Sequence, residues 1–430
     1  MSEELFVVGG TAMSHGQRVE HATIRVRDGV IVDVSHAPPP PDSRVIDATD
    51  RFVIPGVVNA HAHGLTLGPL FSSAAEPLAR DAAQANADRH LSEGVTTAVN
   101  ICGFAIEEDR IDHPMRIELG TTNLPHAREA AAIVDGAGLT EAQRHRSAEA
   151  MVASGAVAIG EVGSGATLGG GVAAYRYVPQ AVRDATGIEL DPASATLLID
   201  ALVGPLRTGE PNDRGLSQAM ERLALPMSAF PVVRKAVLDY AAAPVLVSLG
   251  SFGEACALSA LTGVPAIFHT AEPSIRELLR LARSADARIV AGHMNHPSIP
   301  ADEAVAVARE LRDLGVVIDV SSLDIVHQQA MCSPEVADAL VSAGVVDTLS
   351  TDYAGGSWES MLGLVQRWVR MGTITVEQGI AMCTSTPAEV FGFRDRGRIA
   401  PGLLADLVVV RQDDLEAVEC VIVGGDVVIG

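Results

Sequence analysis

Hydrophobic and polar positions follow one rhythm at the two ends of the chain and another in its middle. From Leu5 to Asp47, short β-like runs (ELFVV, ATIRVRDGVIVDV, RVID) are separated by Gly, Asp and the punctuation Pro39-Pro40-Pro41, with no helical period. The closing stretch, 397–430, reads the same way, with DLVVV and AVECVIVGGDVVI. Two β-rich ends around a different middle predict one small β-sandwich domain assembled from residues 1–53 and 396–430.

The middle, 54–395, alternates short buried apolar runs with helix-like segments, the pattern of βα units around a parallel sheet. Eight candidate strands are countable: FVIPGVVNAH, GVTTAVNI, MRIELG, AVAIGEVG, VPAIFHT, ARIVAGH, GVVIDVSS and VDTLSTD. Eight is the number that closes a (β/α)8 TIM barrel. A helix over Thr140 to Ser154 is well signalled, because Thr140 and Gln143 have capping-box spacing and Gly155 follows the end. One connection is abnormally long, since the excess at about 166–245 exceeds the ~30 residues of a βαβ unit. This helical insertion opens with Gly169-Gly170-Gly171 and holds Tyr175, Tyr177 and Tyr240; it reads either as a lid or as an oligomer contact. The glycine triplet lacks the Lys-Ser/Thr of a phosphate loop.

Composition narrows the class. The chain has 430 residues with 48% hydrophobic and 20% charged positions, enough for a large buried core. Its formal net charge of -23 is the wrong sign for a nucleic-acid or anionic-membrane surface, so the expected partners are a small-molecule substrate and further copies of the chain in a homo-oligomer. Five scattered cysteines without CxxC pairs argue against a disulfide framework or a thiolate zinc site and fit a cytoplasmic setting. No signal-peptide pattern and no run of 18 apolar residues is present in the sequence. Of the 31 Lys and Arg residues one alone is lysine, Lys235.

The candidate chemistry lies at strand ends. His61 and His63 in NAHAHG are two apart on a strand, so both imidazoles can face one point, a geometry that suits a metal ion. An isolated HxH says little. Glu161 ends AIGEVG, His269 ends AIFHT, His293 ends VAGH and Asp352 ends LSTD. Any one of these six is compatible with a core or rim residue, but barrel sites are assembled at this C-terminal face, and all six are metal-ligand types.

HxH after an IPG strand, the later Glu, His, His and Asp, and the closing STPAEVFGFRDRGRIAPGLLADLVVV resemble the amidohydrolase superfamily over nearly the whole chain except the insertion. Many dinuclear members bridge their metals through a carboxylated lysine on the fourth strand. Lys235 stands in a helix-like segment away from any strand end, and a glutamate occupies the bridging position. GEVGSG, HTAEPSI and GHMNHPSI are similar to enamidase, a cyclic amide hydrolase, although bacterial-type adenine deaminases also use a bridging glutamate. The resemblance implies two divalent ions, with His61, His63 and Asp352 on the first, His269 and His293 on the second, and Glu161 between them. Oxygen and nitrogen donors suit zinc, and equally Fe or Mn.

The expected chemistry is hydrolysis of a C–N bond, in a cyclic amide, by a hydroxide shared between the ions, with Asp352 moving the proton to the leaving nitrogen. His296 and His327 are further catalytic candidates, as donors to a developing oxyanion or as solvated loop histidines. Tyr353 and the insertion tyrosines either line a pocket or pack. Deamination of a purine-like heterocycle and hydrolysis of an acyclic N-acyl compound are the alternatives. An arginine at the mouth would mark a carboxylate-bearing substrate, and the sequence does not locate one. His15, His21, His36, His90, His113, His126 and His145 lie off the strand-end pattern.

Overall fold

A computed structural model describes residues 4–14, 16–70, 77–134, 138–164, 167–168, 172–322, 324–326, 329–353 and 356–430. The chain begins with β1 (Glu4–Ser14), β2 (Gln17–Arg27), β3 (Val30–Ser35), β4 (Arg44–Asp47) and β5 (Arg51–Pro55). Seven strands of the middle follow in β6 (Val57–Ala62), β7 (Val95–Asn100), β8 (Arg116–Thr121), β9 (Ala158–Val162), β10 (Ala266–His269), β11 (Ile289–Gly292) and β12 (Val317–Ser321). A small ribbon of β13 (Asp324–Val326), β14 (Gln329–Ala330) and β16 (Ser357–Trp358) surrounds the eighth middle strand, β15 (Thr348–Ser350). β17 (Leu407–Arg411), β18 (Val418–Val423) and β19 (Asp426–Ile429) end the chain.

The first and last groups form one sheet in the order β19-β18-β17-β5-β1-β2-β3, with β4 alongside β1. Its inner strands are apolar on both faces for a reason visible in the alternation. Val53, Leu407, Val409 and Ile422 join the core of the terminal domain. Their neighbours Phe52, Ile54, Val408, Val410 and Val421 turn the other way into the main core shared with the barrel. Period-two burial on both faces thus fastens the two chain ends to each other and to the middle.

The middle strands run in sequence order around a parallel eight-stranded sheet, β6 to β12 and then β15. All eight strands read from the apolar runs are present, and the fold is the expected barrel with a terminal β-domain. Because the strands are parallel, their C-terminal ends open at one mouth. The gap between β15 and β6 is joined mainly by side chains and one backbone bond. Asn59 Nδ2 donates to Thr351 Oγ1 (2.8 Å), while Asn59 Oδ1 accepts from the N–H groups of His61 and Thr351 (3.2 Å each). Asp352 N–H donates to His61 O (3.0 Å).

The helix expected over Thr140–Ser154 is two helices, Glu141–His145 and Ala148–Ala153. Thr140 and Gln143 do form the capping box, but Arg146 and Ser147 are extended, and Ser147 caps a new helix by accepting from Ala150 N–H. A competing N-cap inside the segment therefore divides it. The insertion is helical, with Val178–Thr186, Pro192–Val203, Asp213–Arg222 and Phe230–Val237 around a core of its own that includes Val182, Leu198, Leu216 and Val233. Gly169, Gly170 and Gly171 lie outside the described residues. One continuous helical stretch, Met227–Thr262, is long and apolar enough to cross a membrane, with mean hydropathy 1.5. Its residues Val245, Phe252, Ala255 and Leu258 belong to the main core, which accounts for that character, while Leu246 and Leu261 remain exposed.

His90, on the helix Arg80–Ser92, is fully buried behind the closure. Its Nδ1 donates to Asn86 O (2.8 Å), so its Nε2 accepts from the Thr351 hydroxyl (3.2 Å), which in turn accepts from Asn59. The Trp358 ring stacks on His90 (4.6 Å) and is covered by Arg89 (3.6 Å). Burial, reinforced by Arg89 and opposed by the Asn86 carbonyl, pushes the His90 pKa down to about 4.

Two outcomes follow from this closure. Asn59→Ala strands the buried N–H groups of His61 and Thr351, takes one bond from the Thr351 hydroxyl, and should lower the free energy of unfolding by about 3 kcal/mol, read from urea midpoints; a loss below about 0.5 kcal/mol would show that the seam does not depend on this side chain. Below pH 6.5 the unfolded chain protonates His90 while the folded chain does not until about pH 4. Stability should therefore fall as pH drops through that window, by up to about 1.4 kcal/mol per unit from this residue, and His90→Gln should remove that part of the slope. Identical pH profiles for the two proteins would contradict the neutral, buried assignment.

Candidate metal centre

Each predicted ligand sits at or just beyond the mouth end of a barrel strand. His61 is on β6 with His63 one residue past it, Glu161 is on β9, His269 closes β10, His293 follows β11, and Asp352 comes two residues after β15. The register pairs His269 with Gly292, which brings His293 level with the mouth. A β-carbon at Gly292 would lie 3.1 Å from His61 Nδ1, so the bare glycine leaves room for that ring.

The structure brings all six residues into one cluster. Glu161 Oε1 is 2.9 Å from both His269 Nδ1 and His293 Nε2, and Glu161 Oε2 is 3.5 Å from His63 Nε2. Asp352 Oδ1 is 3.0 Å from His61 Nε2 and 3.5 Å from His63 Nε2. His61, His63, Glu161, His269 and His293 are at most 5% exposed, and the Asp352 side chain is 13% exposed at the opening. Asp352 and His293 both have positive φ, 43° and 36°, which costs residues with a β-carbon about 1 kcal/mol or more each.

Electrostatics explain how two carboxylates stay ionised there. Burial alone raises the Glu161 pKa, but His269 and then the hydrogen bonds from His269, His293 and His63 hold it well below the usual carboxylate range. For Asp352 burial is again opposed and outweighed, here by the charges of His293 and His61 and by hydrogen bonds from His61 and His63. His63 is desolvated, yet Asp352, Cys102 and Glu161 raise its pKa well above the ordinary value.

The donor set fits divalent cations. Two triads, His61-His63-Asp352 and His61-Glu161-His293, each bring their ligand atoms within 4.8 Å of one another. Among the described residues, His61 Nδ1, His269 Nε2 and His293 Nδ1 are buried without a hydrogen-bond partner. Orphaned imidazole nitrogens beside two carboxylates are costly in a dry site and become favourable when a cation takes a lone pair. Lys235 is on an exposed helix of the insertion, paired with Asp239, so this chain's lysine is not in the cluster.

His296 packs its ring beside His269 and His293, with centroids 5.4 and 6.0 Å away. Ser298 N–H donates to its Nδ1 (3.1 Å), leaving the proton on Nε2. Burial and the charges of His269 and His293 hold its pKa well below 6.5. His327 lies outside the described residues. Tyr353 packs edge-on against Trp358 (4.7 Å), and Tyr177 and Tyr240 stack on each other (4.5 Å).

Three supporting residues escaped the strand-end reading. Asn59 sets the seam beneath His61. Asp319, buried on β12, accepts from Thr348 and Ser350 hydroxyls (2.7 Å each) and from His293 N–H (3.4 Å). Cys102 touches the His63 imidazole and accepts from Gly64 N–H (3.2 Å). The available signal was a polar residue inside an apolar strand, as in VVNAHA and VIDVS.

Comparison with known proteins finds similar sequences and folds. Residues 266–428 match the amidohydrolase family model. A dihydroorotase from Anaeromyxobacter dehalogenans is 26% identical over 95% of this chain and 89% of its own length. An allantoinase from Salmonella gallinarum is 25% identical over 33% of this chain, and the match spans 38% of that protein. Among solved structures, the β-aspartyl dipeptidase of Fervidobacterium islandicum superposes with a TM-score of 0.60 at 13% identity, over 100% of this chain and 97% of the other, a likeness of fold.

Proposed function

We propose that this chain, of the amidohydrolase superfamily by its match over 266–428 and its barrel, is a metal-dependent hydrolase that opens the C–N bond of a cyclic amide. The observation that carries the reading is the convergence of four buried imidazoles on Glu161 and Asp352 at the barrel mouth. Dihydroorotase and allantoinase, names borne by its relatives, denote hydrolases of cyclic amides, which favours a ring substrate.

In this reading His61, His63 and Asp352 would hold one divalent ion and His269 and His293 a second, with Glu161 as a ligand shared between them, as the resemblance to enamidase implies. Divalent ions held there lower the pKa of water and polarise a carbonyl. Asp352, the most exposed member of the cluster and held ionised, accepts the proton of the attacking water and returns it to the leaving ring nitrogen. Neutral His296 presents Nε2–H as a donor to the oxygen that gains charge.

Metal content tests the ligand assignment. Purified protein should carry about two divalent ions per chain by elemental analysis, and Glu161→Ala should lose at least one; full retention would remove Glu161 from the bridge. A panel of lactams, cyclic imides and hydantoins, read by product mass, tests the reaction. Asp352→Asn should keep most of the metal while turnover on the best ring falls about 1000-fold, and undiminished turnover would rule out its proton-transfer role.

A further inference from the structure

One charged side chain of the insertion acts electrostatically on His296, beside the cluster. Arg207 lies in the turn after helix Pro192–Val203, where Gly204 ends the helix with φ 74°. Arg207 N–H donates to Gly204 O (3.0 Å), and Asn212 N–H ties the far side of the turn back to Leu202 O (2.7 Å). Arg207 itself has φ 55°, a left-handed conformation that glycine would adopt without strain. Strain retained at a residue with a long side chain suggests that the side chain is needed there.

The guanidinium is the unusual feature. Arg207 Nη1 is buried with no hydrogen-bond partner, and the group forms no ion pair among the described residues. Other arginines are ion-paired, Arg116 with Asp406 (2.5 Å) and Arg396 with Glu118 (3.2 Å), and Arg25 and Arg367, each with an unpartnered buried Nε, pair with Glu4 and Asp338. The two N–H donors on Nη1, left unpaired out of water, are expensive unless a ligand completes them.

Its position connects it to the metal-ligand cluster. The charge of Arg207 reaches His296, and its neighbours Asp200 and Glu272 act on it electrostatically without pairing with it. Glu272 opens the helix that follows His269, and its N–H donates to Ser298 Oγ (3.0 Å), the same serine whose N–H binds His296. Glu272, Ser298 and His296 thus share one rim on the His269 and His293 side, and Arg207 interacts electrostatically with Glu272 and His296 on it.

We infer that Arg207 is a specificity-determining residue that binds a carboxylate on the substrate, so that the ring opened at the cluster carries an acidic substituent. This rests on the cyclic-amide reading for the ring and on Arg207 for the acid. An arginine fork matches a carboxylate with two parallel hydrogen bonds, which lysine cannot reproduce. The insertion therefore supplies substrate selection as well as packing.

The test uses zinc-loaded protein and two probes, hydantoin-5-acetate and the uncharged 5-methylhydantoin, with binding by calorimetry and turnover by product mass. Wild type should favour the acid by about 30-fold. In Arg207→Met that preference should collapse to within about threefold while 5-methylhydantoin binding and metal content stay unchanged, and Arg207→Lys should recover part of it. A wild type with no preference for the acid, or an Arg207→Met protein that keeps the preference, would overturn the inference. If Arg207→Met is misfolded by circular dichroism, the Arg207→Lys preference decides: equality with wild type overturns the role. Acid preference without opening of any ring in the panel would support the Arg207 site and count against the cyclic-amide reading.

Discussion

The structure depends on keeping two carboxylates ionised in a place almost without water. Glu161 is 2% exposed, and an isolated charge at such a depth would protonate. Four imidazoles compensate it and Asp352, and the requirement reaches outward from them. Gly292 stays bare so that His61 has room, and Asp319, itself buried, is satisfied by two hydroxyls and the His293 N–H. The same packing leaves imidazole nitrogens without partners, so a cation completes what the protein leaves open.

Barrel closure and site geometry are one arrangement. Asn59 joins β6 to the residue before Asp352, and Asp352 N–H binds the carbonyl of His61, so the seam of the sheet fixes the distance between a ligand on the first strand and one after the last. Behind it, His90 must stay neutral for the chain of hydrogen bonds through Thr351 to run in one direction. The Trp358 ring, stacked on His90 and covered by Arg89, also packs against Tyr353, the neighbour of Asp352, which has positive φ.

The long connection between β9 and β10 has its own core and its own contribution. Its helices bury Leu198, Leu216 and Val233 among themselves, which explains why the segment reads as ordinary amphipathic helix. Tyr177 and Tyr240 serve that packing by stacking on each other. Arg207 is different, because nothing in its immediate sequence separates it from a solvated loop arginine. It interacts electrostatically with Glu272, more than 60 positions away along the chain.

The sequence alone determined the strand count, the terminal β-domain and the list of strand-end residues. Period-two apolar runs and a ligand-type residue at the end of five of the eight strands are local properties that survive without tertiary information. The single lysine likewise excluded a lysine bridge by count and location. Only the tertiary structure decided which nitrogen faces which carboxylate, that Ser147 begins a second helix, that His90 and Asn59 carry the seam, and that Arg207 Nη1 is buried without a partner. Those outcomes rest on contacts between residues distant in sequence, whose energies arise from burial and pairing once the chain has closed.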